Sequence, residues 1–303
     1  MAQFSNILKN IFIIILILQF APFIIKNFSK YYSSLFETHT KVGVITMNST
    51  LSSSAHYIKQ FKTFFENTDI KAILIKMDCP GGASGSTQAI FYTIKELKKS
   101  YAKPVIVLIE NVCASGGYYI AVTADVIIAP ASALIGSVGV YMPHPQLKEF
   151  IEQFKVKYDT IQSGKYKTAG NPLLATTPEQ REMLQQLSDD VYLQFVQDVA
   201  ESRPQLKLAQ QNQWAQGRLF TGHKAKEMEL IDEIGSQETA ERVIRQKAPI
   251  EGKIMWIKAP QPSVFSRFLG RDDTSEPDDE TSLESFFNCV QGWWVKQNMH
   301  HFF

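Results

Sequence analysis

The chain has 303 residues, enough for one large domain or two ordinary ones, and its 45% of hydrophobic residues can form a buried core. Its 31 Lys and Arg residues against 30 Asp and Glu residues give a formal charge of +1, which gives no indication of nucleic-acid binding. The three cysteines, Cys79, Cys113 and Cys289, are odd in number and lack metal-ligand spacing. We therefore expect neither a disulfide framework nor a metal site, and Cys79 and Cys113 are expected to be small buried side chains.

The first 30 residues resemble a membrane-targeting segment. Residues 11–25 are apolar apart from Gln19, with Lys9 before them and Lys26 and Lys30 after them. No cleavage site of small residues follows, so residues 1–30 are predicted to be an uncleaved single-pass anchor rather than a signal peptide. A buried core helix is the alternative. Lysines on both sides leave the orientation open.

Strands and helices are predicted to alternate through residues 31–258. Short β-branched apolar runs at 42–47, 72–77, 105–109 and 126–129 predict buried strands, and amphipathic helices separate the first three. This order predicts an α/β layered domain with a mainly parallel sheet.

Two further elements are predicted in the second half of the chain. A strand is expected at about 158–162. Thr177 followed by proline and glutamate indicates a helix start, and the helix is expected to run to about residue 202. Its apolar stripe is predicted to be core: Leu184, Leu187, Val191 and Phe195.

Residues 259–303 differ in character from the rest of the chain. The stretch 272–280 is acidic and lacks apolar residues, whereas the end of the chain is rich in Phe and Trp. We expect an acidic linker and an aromatic tail. The tail could bind a membrane surface or a partner, or pack on the domain.

Ser115 is the first candidate for chemistry. It lies in Cys-Ala-Ser-Gly-Gly-Tyr-Tyr (113–119), between the strand that begins at 105 and a predicted helix. A serine at this place could be a nucleophile, with the Gly116 amide available to an oxyanion. It could also simply cap the helix.

Two strands that are consecutive in the chain are each followed by a glycine pair, at 81–82 and at 116–117. Sites form at the carboxyl ends of parallel strands, so if these two strands are neighbours in the sheet, the amides of Gly82 and Gly116 are predicted to converge as an oxyanion hole. Two unrelated glycine turns are the alternative.

A serine nucleophile also needs a base. His144 lies between two prolines and has no obvious carboxylate to orient it. Lys167 follows a Ser-Gly turn at the end of the strand predicted at 158–162, and Lys165 competes with it; a lysine base must be neutral, which requires burial. Spacing alone does not decide among these three.

Five motifs in order resemble the signal peptide peptidase A family (peptidase family S49) in its short, single-copy form, with the match running from about residue 42 to 257. They are Asp-Cys-Pro-Gly-Gly (78–82), Ala-Ser-Gly-Gly-Tyr-Tyr (114–119), Ile-Gly-Ser-Val-Gly (135–139), Ser-Gly-Lys-Tyr-Lys (163–167) and Gly-Arg-Leu-Phe-Thr-Gly (217–222). The resemblance implies a Clp-protease/crotonase-like layered fold.

The same resemblance implies the roles of the site residues. Ser115 would be the nucleophile and Lys167 the general base, Gly82 and Gly116 would provide the oxyanion amides, and Ser137 would orient the lysine amine. The family usually has serine where this chain has Cys79, a conservative change that leaves the glycines intact. No cofactor or metal is implied.

The implied function is that of a serine endopeptidase in the inner (cytoplasmic) membrane. Its single-pass anchor would hold an extracytoplasmic catalytic domain, which would cleave hydrophobic peptides such as released signal peptides. Short members of the family form rings in which neighbouring protomers supply the serine and the lysine, so a homo-oligomer is expected. The alternative is a non-catalytic membrane scaffold that binds peptides in the same groove.

Overall fold

The computed structural model describes residues 38–259 and, outside this range, only Gln19. Apart from Gln19 and Ala259, the predicted anchor (1–30) and the predicted tail (259–303) lie outside the described residues. Within the described part of the chain, no helix combines the length and the apolar character needed to cross a bilayer.

Strands and helices alternate along the first half of the described chain, as predicted. The strands are β1 (His39–Met47), β2 (Ile70–Cys79), β3 (Val105–Ala114), β4 (Val126–Ala129), β5 (Leu134–Gly136), β6 (Leu219–Thr221), β7 (Glu233–Ile234) and β8 (Lys253–Lys258). The helices are α1 (Ala55–Glu66), α2 (Ser84–Ser100), α3 (Gly116–Ala121), α4 (Lys148–Gln153), α5 (Pro178–Ser202), α6 (Gln211–Trp214), α7 (Gly222–Glu227) and α8 (Gln237–Lys247), with a short 3-10 helix at Leu208–Gln210.

The strands form one mainly parallel sheet in the order β6-β5-β3-β2-β1-β8. The first half of β3 pairs with β4, which in turn pairs with β7, and the second half of β3 pairs with β5. Only the β5–β6 pair is antiparallel among the pairs described. The predicted α/β class with a mainly parallel sheet is confirmed.

Both faces of the sheet are covered. Ile73, Ile75 and Met77 of β2 lie in a core with helices α1 to α3, whereas Ala72 and Leu74 lie in a second core with α8. Successive residues of a strand point to opposite faces. A strand covered on both faces therefore reads as a continuous apolar run, which explains why the strands were recognisable in the sequence.

The strand predicted at 158–162 is absent, and residues 159–162 have no regular structure. The side chain of Ile161 is fully exposed. The apolar run there has no neighbouring strand to supply hydrogen bonds, and without one an extended segment does not become part of a sheet.

Helix α5 begins as predicted but is buried over only part of its length. The Thr177 hydroxyl accepts from the Gln180 amide, and the Gln180 side chain accepts from the Thr177 amide. Phe195 is buried, whereas Leu187 is 48% exposed. The prediction that the whole apolar stripe is core was therefore wrong at Leu187, and Leu184 and Val191 are only half-buried.

We predict that Phe195→Ala lowers the free energy of unfolding by about 3–5 kcal/mol, because it leaves a cavity in the core. Leu187→Ala, on the same helix, should change it by no more than about 0.5 kcal/mol. Chemical denaturation followed by circular dichroism measures both. Equal losses for the two variants would contradict the division of the helix.

Candidate active site

Ser115 lies on a sharp turn between β3 and α3. Its backbone has φ 50° and ψ −122°, a region that costs a non-glycine residue on the order of 1–3 kcal/mol. The strand and the helix hold it there: the Ser115 amide donates to the Gly136 carbonyl (2.8 Å), and its own carbonyl accepts from the Tyr119 amide (3.0 Å). A serine on a strained strand-to-helix turn presents its hydroxyl above the edge of the sheet.

The Ser115 side chain does not cap helix α3. The residue occupies the N-cap position, yet its hydroxyl accepts no hydrogen bond from the first turn of the helix. An N-cap serine normally makes this bond. The capping interpretation therefore does not explain Ser115, and its hydroxyl is free of that structural role.

The glycine turn after β2 is joined to the loop that contains Leu51. The Leu51 amide donates to the Gly81 carbonyl (2.8 Å), and the Leu51 carbonyl accepts from the Ala83 amide (2.7 Å). Gly82 has φ 153°, and a β-carbon there would collide with the Leu51 carbonyl oxygen. Only glycine fits at this position.

The two glycine turns meet beside Ser115. A β-carbon placed on Gly81 would lie 3.0 Å from the Gly116 nitrogen and 3.1 Å from the Ser115 Oγ, and one placed on Gly116 would lie 3.4 Å from the Gly82 nitrogen. Among the described residues, neither the Gly82 amide nor the Gly116 amide has a hydrogen-bond acceptor. Two free N–H donors next to a hydroxyl can stabilise the negative charge that develops when the hydroxyl attacks a carbonyl.

An irregularity in the pairing of β2 with β3 lies just before the turn that contains Ser115. The pairing of β2 with β3 shifts between Met77 and Cys79. The Asp78 carboxylate bridges the shift, because it accepts from the Val112 amide (3.1 Å) and from the Asn111 side-chain amide (2.9 Å). The sequence analysis assigned no role to Asp78. An acidic residue at the end of an apolar strand could have indicated a carboxylate that binds neighbouring backbone or side-chain amides.

Ser137 follows β5 as Ser115 follows β3. Ala114 and Gly136 are paired in the two strands, so the two serines occupy the next positions on neighbouring strands. Ser137 also has φ 50°, and its amide donates to the Arg218 carbonyl (2.7 Å). The structure therefore brings Ser115, Ser137, Gly82 and Gly116 to one edge of the sheet.

Lys167 is not part of this cluster within one chain. It lies exposed in a series of turns over residues 163–170, and its amide donates to the Gly164 carbonyl (3.1 Å). No hydrogen bond joins its ammonium group to Ser115 or Ser137 in the described structure. The surrounding segment, residues 139–176, exposes many large apolar side chains: Tyr141, Met142, Leu147, Phe150, Phe154, Val156, Tyr158, Ile161 and Tyr166.

The other two candidate bases have different contacts. The Nε2 atom of His144 is hydrogen bonded to the Thr176 hydroxyl (2.9 Å) and to the Gln146 side chain (2.8 Å). The Lys165 ammonium lies 5.3 Å from the centre of the Tyr166 ring. A hydrogen bond with the Thr177 side chain lowers the pKa of Glu179, and the positive charge of Lys165 adds to this shift. Neither side chain hydrogen bonds to Ser115 in the described part of the chain.

A network behind the site connects three helices, and the sequence analysis missed it. The Tyr119 hydroxyl, on α3, donates to the Asp198 carboxylate on α5, and the Gln88 side chain, on α2, donates to the Tyr119 oxygen (3.3 Å). The Tyr119 ring also stacks on Phe195 with centroids 4.4 Å apart. Helices α2 and α3, which begin beside the two glycine turns, are thereby held by α5.

Comparison with known proteins gives consistent matches. The model of the family described as Peptidase family S49 matches residues 97–251, a range that includes Ser115, Ser137 and Lys167 but not Gly82. A Synechocystis protein named as a candidate protease is 32% identical over 240 residues, which are 78% of this chain and 85% of that protein.

Two other relatives are longer than this chain. A candidate protease of Methanocaldococcus jannaschii is 32% identical over 195 residues, 64% of this chain and 62% of that protein. The chloroplastic serine protease SPPA of Arabidopsis thaliana is 32% identical over 210 residues, 68% of this chain but 31% of that protein. The chain thus spans less than two thirds of the length of these two relatives.

We predict that Gly82→Ala lowers the free energy of unfolding by about 1–3 kcal/mol, because the added methyl group collides with Leu51. Gly85→Ala, three residues further on, is a matched control: a β-carbon there meets nothing within 4 Å. Because alanine has a higher helix propensity than glycine, this control in the first turn of α2 should raise stability by up to about 1 kcal/mol. Denaturation curves of both variants test this, and equal shifts would contradict the packing described for Gly82.

Proposed function

Because the chain belongs to peptidase family S49, we propose that it is a membrane-anchored serine endopeptidase that cleaves hydrophobic peptides with a Ser115–Lys167 dyad. One observation carries the proposal. The Ser115 hydroxyl does not cap its helix, and it lies beside two amides, those of Gly82 and Gly116, that donate to no described acceptor. The printed names of the relatives support protease activity.

The proposed reaction uses groups of the chain alone. The Ser115 Oγ attacks the carbonyl carbon of the peptide bond, and its proton passes to the neutral Lys167 amine. The Gly82 and Gly116 amides donate to the oxyanion. Lys167 then protonates the leaving amine as the carbon–nitrogen bond breaks. A water molecule, deprotonated by Lys167, attacks the acyl-enzyme, and Lys167 returns that proton to the Ser115 Oγ as the ester bond breaks. Ser137 would donate or accept a hydrogen bond that orients the lysine amine.

Lys167 would act on the serine of a neighbouring protomer. A lysine base must be deprotonated, and burial is what lowers a lysine pKa enough for this near neutral pH. Lys167 is exposed in the single chain. A homo-oligomer that buries the exposed apolar side chains of segment 139–176 would bury Lys167 with them and bring it to a serine.

Membrane attachment rests on the sequence of residues 1–30, which lie outside the described structure apart from Gln19. Their apolar stretch would anchor the protein in the inner membrane with the catalytic domain on the extracytoplasmic side. Released signal peptides, which are apolar and membrane-bound, are the proposed substrate class. The binding of such peptides needs no cofactor.

We predict that Lys167→Ala lowers the rate of hydrolysis of an apolar leader-like peptide by about 10²–10⁴-fold, the range for loss of a general base. Lys165→Ala is a matched control, because both lysines lie in the same exposed turns. This variant should retain activity. Retained activity in Lys167→Ala would move the role of base to Lys165 or His144. Labelling by a fluorophosphonate that disappears in Ser115→Ala would separate the enzyme from a peptide-binding scaffold.

We further predict that mixing Ser115→Ala protein with Lys167→Ala protein restores hydrolysis, since a mixed oligomer would contain intact sites at some interfaces. Mixing Ser115→Ala with the double variant should restore none, because no protomer then contributes the serine. The measurement is hydrolysis after co-purification through two different tags. Verified mixed oligomers without activity would show that each chain supplies its own dyad.

A further inference from the structure

Two buried thiols lie side by side on neighbouring strands, next to the candidate site. Cys79 of β2 and Cys113 of β3 are paired positions in neighbouring strands, and both are free cysteines. Both belong to the core on the α1–α3 side, so their side chains lie on the same face of the sheet. Neighbouring strands lie about 4.8 Å apart, within the range of about 4.4–6.8 Å between Cα atoms that a disulfide spans.

The Cys79 sulfur also supports the glycine turn. It accepts from the Gly81 amide (3.4 Å) and donates to the Ser49 carbonyl (3.1 Å). On its other side, a β-carbon placed on Gly117 would lie 3.2 Å from the Cys79 β-carbon. Cys79 therefore lies between the turn that contains Gly82 and the helix that follows Ser115, and a movement of its sulfur would disturb both.

We propose that Cys79 and Cys113 are a redox-sensitive dithiol, which a hydroperoxide converts into a disulfide that releases the Gly81–Gly82 turn from the Cys79 sulfur. The Cys79 thiolate attacks one peroxide oxygen, the O–O bond breaks, and Cys79 becomes a sulfenic acid as hydroxide leaves. The Cys113 thiol then attacks the Cys79 sulfur and gives its proton to the departing hydroxyl, so that water leaves as the S–S bond forms. With hydrogen peroxide, two thiols are oxidised by two electrons and the peroxide is reduced to two waters.

The surroundings of the two sulfurs set the order of these steps. Burial raises the pKa of both thiols, and that of Cys113 is raised well above its usual value. The Gly81 amide opposes this shift at Cys79, although the nearby Asp78 carboxylate adds to it. Tyr118 is the other titratable group close to Cys113. Cys79 should thus ionise first, and the oxidation should become faster as the pH rises toward its pKa, because the thiolate is the reactive form.

Serine is the conservative replacement for Cys79. A serine there keeps a hydrogen-bonding oxygen next to the Gly81 amide and cannot form a disulfide. Cys79→Ser is therefore a matched variant that removes the redox chemistry and preserves the polar contact.

The experiment treats the purified full chain with hydrogen peroxide and maps its peptides by mass spectrometry without reduction. We expect a species that joins the Cys79 peptide to the Cys113 peptide and weighs two hydrogens less than their sum. It should form faster at higher pH and disappear on treatment with dithiothreitol. Cys79→Ser and Cys113→Ser should abolish it, and Cys289→Ser should not. Loss of thiols in the folded wild type without this cross-link, or a cross-link that requires Cys289, would overturn the proposal.

The effect on activity rests on the proposed function and is measured separately, as the rate of each variant relative to its own reduced form. Cross-linked wild type should be slower on the order of 10²-fold, as for loss of an oxyanion donor, and dithiothreitol should restore it. Peroxide should leave the relative rate of Cys79→Ser unchanged, because this variant lacks the thiol that the peroxide attacks. Full activity in the cross-linked protein would overturn the switch, whereas no hydrolysis even after reduction would refute the proposed function and leave the cross-link result intact.

Discussion

The candidate site depends on close approaches of backbone that leave no room for a β-carbon. At Gly82 the backbone passes so near the Leu51 carbonyl that only glycine fits. At Gly116 a β-carbon would lie 2.5 Å from the Thr87 hydroxyl oxygen. These two contacts bring the ends of β2 and β3, with the loop after β1, into one compact group. The free amides beside Ser115 follow from that packing, which is against backbone at Gly82 and against the Thr87 side chain at Gly116.

Much of this arrangement could be predicted from the sequence, because its determinants are local. A β-branched run followed by Ser-Gly-Gly predicts a strand, a turn and a helix, and the structure has all three around Ser115. The full length of β3 was not predictable in the same way. Glu110 and Asn111 interrupt its apolar pattern, and the strand continues past them because a distant carboxylate, that of Asp78, satisfies the backbone there.

Features that depend on distant contacts were missed or wrongly predicted. Residues 158–162 have the composition of a strand, but whether a partner strand lies beside them is not written in the local pattern. Leu187, in the first half of α5, belongs to the apolar stripe but is left exposed by the rest of the described chain. The position of Lys167 was open for the same reason. Its place lies in exposed turns, whereas the other candidate residues follow strands or begin a helix: Gly82, Ser115, Gly116 and Ser137. What a local sequence pattern leaves open is what a side chain meets across the fold.

The backbone at Ser115 and Ser137 has a thermodynamic consequence. Both residues have φ 50°, and each such conformation costs on the order of 1–3 kcal/mol, which glycine would largely avoid. A domain of ordinary stability has only about 5–15 kcal/mol in total. Holding the two serines in this backbone conformation therefore costs a measurable fraction of the folding free energy. The chain is less stable than its sheet would allow, and that deficit is concentrated where the hydroxyl groups are presented.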